Sequence, residues 1–73
     1  MKQRHTITFR FALDTIVIWA GEADQRYRVH QCRWTVTHMS SWAEYALINV
    51  EHPGRGIVCW VNEADLREEE RGR

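Results

Sequence analysis

This sequence predicts an all-β fold, a small five-stranded barrel, and three observations carry that prediction. Short runs rich in β-branched and aromatic residues recur along the chain, with turn residues between them. No segment of useful length repeats its apolar residues at the 3.6-residue period of a helix. The stretch from Tyr45 to Leu66, YALINVEHPGRGIVCWVNEADL, reads as strand, tight turn, strand, one-turn helix and apolar anchor.

Each run has its own signature. Thr6–Phe11 alternates, with Ile7, Phe9 and Phe11 on one face and Thr8 and Arg10 on the other, as a half-buried strand does. Ala12-Leu13-Asp14 breaks it. Thr15–Ala20 is β-branched and apolar on both faces. Ile16 and Ile18 are expected inward there, and Val17 and Trp19 outward. Gly21–Gln25 reads as a turn. Tyr27–Thr37 is a long strand whose parity slips: Tyr27 and Val29 share one phase, Cys32, Trp34 and Val36 the other. A bulge near His30-Gln31 reconciles them and bends the sheet. His38–Ser41 is a loop, Trp42–Val50 the fourth strand and Ile57–Val61 the fifth. Between these last two, Gly54-Arg55-Gly56 supplies the positive φ that a tight turn needs. Asn62–Asp65 is the one-turn helix and Leu66 the anchor. This is the ending of an SH3-like barrel, and it gives a single domain over residues 1–66. Residues 67–73 are charged and are expected to fray. The expected core is Ile16, Ile18, Val29, Trp34, Leu47, Ile57, Trp60 and Leu66.

Length and charge bound the function. Seventy-three residues make one domain near the lower limit for folding alone. Such a barrel cannot enclose all four tryptophans, Trp19, Trp34, Trp42 and Trp60, so some are left for the surface. The net charge is zero, split as +2 over residues 1–61 and −2 over 62–73, and it gives no global steering toward nucleic acid. Nine of the ten cations are arginine, which suits interfaces better than lysine. No leader pattern and no membrane-length apolar run appear, so a cytoplasmic location is expected. Cys32 and Cys59 sit inside apolar strand patterns and are expected as small buried thiols, with a disulfide between them left open.

The segment EYALINVEHPGRGIVCWVNEADL resembles the C-terminal half of the plasmid- and integron-borne type II dihydrofolate reductases, which are SH3-like barrels of similar length. The matching pieces are Tyr45-Ala46, the turn His52-Pro53-Gly54, and the closing Ala64 and Leu66; Phe11 and Asp14-Thr15-Ile16 resemble that family's first barrel strand. The resemblance implies the fold and a mobile-element origin, such as a phage or integron cassette. It does not imply the activity. That family's tetramer lines a pore with a lysine and a Val-Gln-Ile-Tyr run, where this chain has Ile18 and Val58-Cys59-Trp60-Val61.

No catalytic constellation stands out. His30, His38, His52, Cys32 and Cys59 lack the paired spacing of zinc ligands, so no metal is expected. No base and nucleophile share a predicted cleft, no phosphate loop exists, and the acids are scattered; no cofactor and no enzymatic activity are expected. What remains is aromatic plus arginine. Trp19, Arg26, Arg28 and Trp42 are the expected partner-binding residues, since Trp and Arg dominate binding hot spots. The structural alternative makes Trp34 and Trp60 core, Trp19 a cover for one barrel end, and the arginines a solvated face. The expected function is a non-enzymatic binding module with a protein partner, one that inhibits a host machine as anti-CRISPR-type proteins do. The alternatives are a single-stranded nucleic-acid-binding barrel, which the neutral charge disfavours, and a reductase-like homo-oligomer.

Overall fold

In the computed structural model, which describes residues 8–69, five antiparallel strands form one sheet. They are β1 (Ile16–Trp19), β2 (Glu22–Val36), β3 (Ser41–Asn49), β4 (Ile57–Asn62) and β5 (Leu66–Glu68), in the order β4-β3-β2-β1-β5. The only helical pieces among the described residues are 3-10 turns at Pro53–Arg55 and Glu63–Asp65. None is long and apolar enough to cross a membrane. The fold is the expected all-β, five-stranded one, with a one-turn helix before the closing strand.

The sheet curls because β2 changes phase midway. Val29 pairs with Leu47, but the next pair is Gln31 with Ala46, which leaves His30 unopposed. This is the bulge expected from the parity slip, and a bulge bends its strand. The bend lets every strand contribute to one core: Val17, Tyr27, Val29, Tyr45, Leu47, Val61 and Leu66, joined by Phe11.

The strands are not all where the pattern puts them. Residues 8–11 of the alternating run Thr6–Phe11 form no strand, and Thr6 and Ile7 lie outside the described residues. Their backbone is satisfied by side chains instead. The Phe11 amide donates to the Tyr45 hydroxyl at 3.2 Å, and the Arg10 amide donates to the Glu63 carboxylate at 2.9 Å. Phe9 and Phe11 pack edge-on against Tyr45, so the alternation marks a real buried face without a ladder. The fifth strand is β5. Arg67 and Glu68, expected in a frayed tail, pair with Ile18 and Val17, while their exposed side chains stay in solvent. Residues 70–73 of that tail lie outside the described ones.

The β1–β2 turn is also shorter than expected. Trp19 pairs with Glu22, so only Ala20 and Gly21 turn, and Ala23–Gln25 stand unopposed by β1 before Arg26 meets Ile18. A Cβ on Gly21 would lie 3.0 Å from the Trp19 ring, so a bare glycine is what lets the indole fold over this turn.

Within β1 the expected faces are reversed. Val17 is fully buried in the core and Trp19 packs against it, whereas Ile16 and Ile18 lie on the other face, where Ile16 is half-buried and Ile18 is buried as expected, at 8% exposed. A strand apolar on both faces carries no parity signal, so its orientation is decided by neighbours. Of the other expected core residues, Val29, Leu47 and Leu66 are in the core. Trp34 and Trp60 are half-buried, and Ile57 is 51% exposed.

Two predictions follow from the closing turns. Gly54 and Gly56 both have open space where a Cβ would sit, but only Gly56 has a left-handed φ, at 93°. Gly56→Ala is therefore expected to cost about 1–2 kcal/mol in urea melts, with Gly54→Ala near neutral. Equal effects would remove backbone conformation as the cause. Leu66, 4% exposed, seats the start of β5 in the core. Leu66→Ala is expected to lose about 2–4 kcal/mol; a loss under half a kilocalorie would mean that this anchor does not hold the closing strand.

Candidate functional site

The face of the sheet opposite the core carries the candidate surface. It is built from cross-strand rows, because residues directly opposite in antiparallel strands share a face. One row runs Ile16–Arg28–Ile48–Ile57 across β1 to β4. Another runs Arg33–Glu44–Asn62, with Thr35–Trp42 beside it.

Glu44 organises the second row. Its carboxylate accepts from Trp42 Nε1 at 3.0 Å, Thr35 Oγ1 at 2.8 Å and Arg33 Nε at 2.8 Å. These donors, Trp42 foremost, hold its pKa down at about 2. Arg33 in turn lies over the Trp60 ring, 4.2 Å from its centroid, in cation–π geometry. The result is a fixed cluster of two half-exposed indoles and one guanidinium, set by a carboxylate that is only 14% exposed.

Two further arginines on this face, Arg26 and Arg28, are also paired. Arg26 reaches Glu51 at 2.6 Å and Glu69 at 3.5 Å, and Arg28 lies 3.8 Å from Asp14. The hydrogen bond from Arg26 lowers the Glu51 pKa. Each of Arg26, Arg28 and Arg33 keeps nearly half its side chain exposed while holding a carboxylate.

The four residues singled out from sequence do not form one patch. Arg26 and Arg28 are on the outer face as expected. Trp19 is not: it lies on the core face, stacked edge-on with Tyr27 at 6.1 Å. Its exclusion follows from the reversed parity of β1. Trp42 shares the outer face, but six residues along β3 separate it from Ile48, the partner of Arg28. At the strand rise this is about 20 Å. Trp42 instead belongs with Arg33, Glu44 and Trp60, which the sequence reading passed over. The usable signal was the alternation Trp42-Ala43-Glu44-Tyr45, which places Trp42 and Glu44 together opposite two core residues.

The cysteines are free, with Cys32 half-buried and Cys59 exposed rather than buried. Among the described residues no three His, Cys, Asp or Glu side chains gather as metal ligands. Compared with known proteins, the chain matches no family model, no curated protein and no solved structure.

Glu44 supplies a pH test. Its folded pKa lies below the ordinary carboxylate value, so its contribution to stability is full above about pH 4.5 and is lost as pH falls toward 2. The melting temperature should fall across that window, and Glu44→Gln should flatten the fall. An identical acid profile for the variant would show that other carboxylates govern it.

Proposed function

We propose that this chain is a non-enzymatic protein-binding module that occupies a partner's surface through the outer face of its sheet. The observation that carries this reading is the pairing of Arg26, Arg28 and Arg33 with carboxylates, around half-exposed Trp42 and Trp60 and the apolar Ile16–Ile48–Ile57 row. Trp and Arg are the residues that carry hot spots. Arginines and indoles already held in place lose less freedom when a partner arrives. The same pairing weighs against single-stranded nucleic acid, whose phosphates would have to displace a carboxylate from each guanidinium. A reductase-like oligomer is the weakest reading, since Ile18, 8% exposed, and Cys59 stand where the resembling family has its ligand-binding lysine and glutamine. Inhibition of a host machine by a phage or cassette protein is the narrower form of this proposal. It rests on small size, neutral charge and the reductase-like closing segment.

Capture from bacterial lysate, identified by mass spectrometry and compared between variants, tests it. Arg33→Ala and Arg28→Ala should leave the melting curve within a few degrees of wild type and weaken the captured partner by roughly 2 kcal/mol, about thirtyfold. Arg55→Ala, in the exposed turn between β3 and β4 and off the sheet, should not. Salt-sensitive binding of oligonucleotides, or dihydrofolate-dependent oxidation of NADPH, would replace this reading with one of the others.

A further inference from the structure

β4 is an edge strand with only one of the usual guards. Among the described residues its far side has no partner strand, and its sequence, Ile-Val-Cys-Trp-Val-Asn, contains no charge and no proline. Natural edges are blunted by charge, proline, shortness or a covering element, because bare N–H and C=O groups recruit another strand. The opposite edge meets that rule: β5 is three residues long and carries Arg67 and Glu68. The core beside β4 is also incompletely covered. Val58, Trp34, Cys32 and Phe9 pack on the core cluster yet stay half-exposed.

We propose that β4 is a two-fold pairing edge through which two copies of this chain associate. The occupant that fits is an uncharged, β-branched strand with a free edge of its own. β1 is uncharged as well, but it is flanked by β2 and β5, so β4 of a second copy is the strand in this chain that qualifies. The one guard β4 does have is a bulge, and its position favours self-pairing. Tyr45 pairs with Val61 and Leu47 with Val58, so Cys59 and Trp60 together face Ala46 at the strand's midpoint. A two-fold axis between Cys59 and Trp60 superposes the two bulges. It sets Val58 of each copy opposite Val61 of the other, and Ile57 opposite Asn62, an isologous contact that closes on itself. Edge pairing extends the sheet sideways and leaves Arg28, Arg33 and Trp42 open on the outer face; of the partner-binding residues only Ile57 and Trp60 lie on the paired strand.

Sedimentation of the full chain in reducing agent, from micromolar to high micromolar, is the test. Wild type should pass to the mass of two chains, and hydrogen exchange at Val58–Val61 should slow as it does. Cys59→Lys and Ile57→Lys, both at exposed positions, should each weaken association at least roughly tenfold with an unchanged circular dichroism spectrum. Arg28→Ala should dimerise as wild type does. A wild-type chain that stays single throughout overturns the proposal, including the case in which β4 amides gain protection only when lysate supplies another protein's strand. A dimer that survives both lysine substitutions, or that Arg28→Ala breaks, overturns it as well.

Discussion

Tyr45 is the side chain on which this fold depends. Its ring is fully buried between Phe9 and Phe11 on one side and the strand core on the other. Its hydroxyl donates to Glu63 at 2.5 Å and accepts from the Phe11 amide at 3.2 Å. One residue of β3 thereby ties down the chain before β1 and the turn before β5, two segments that no ladder joins. Burial, helped by the facing carboxylate, pushes its pKa up to about 12, so the phenol keeps its proton and remains a donor across the physiological range. A domain this small has few apolar contacts to spare, and a satisfied buried polar group adds direction that apolar packing lacks.

A second polar anchor does comparable work at the C-terminal end of β3. Asn49, 2% exposed, accepts from the amides of Glu51 and His52 and donates to Gln25. It shapes the entry to the Pro53–Arg55 turn and joins it to β2. Both anchors sit on β3, the central strand of the β2–β3–β4 meander, so the strand that carries Trp42 and Glu44 outward is held from inside at its middle and at its C-terminal end. The outer cluster is positioned by this inner one.

How much of this was legible depends on the residue. The bulge at His30 could be read because β2 alternates on both sides of the slip, and the closing turn because Gly56 and Leu66 have unambiguous roles. The parity of β1 could not be read, since Ile16-Val17-Ile18-Trp19 is apolar whichever way it faces. That ambiguity turned Trp19 from a core residue into an expected contact residue. The Arg33–Glu44–Trp60 cluster was hidden for a different reason. It joins three strands through a carboxylate and a ring face, and neither leaves a mark in the periodicity of any one strand. The pairing of Arg67 and Glu68 leaves no mark in the sequence, because a charged run reads as a solvated tail while an edge strand tolerates charged side chains that point to solvent.

The paired arginines also set how fast this molecule can meet anything. Arg26, Arg28 and Arg33 each carry a counter-charge within 4 Å, so little field from them extends beyond the surface to draw a ligand in. Encounters at such a face run at the unsteered rate, on the order of 10⁵–10⁶ M⁻¹s⁻¹, and change little with ionic strength. A long-lived complex then has to come from slow departure, with the indoles and aliphatic row kept dry once covered. A protein built this way gives up the race for its target and competes by staying bound.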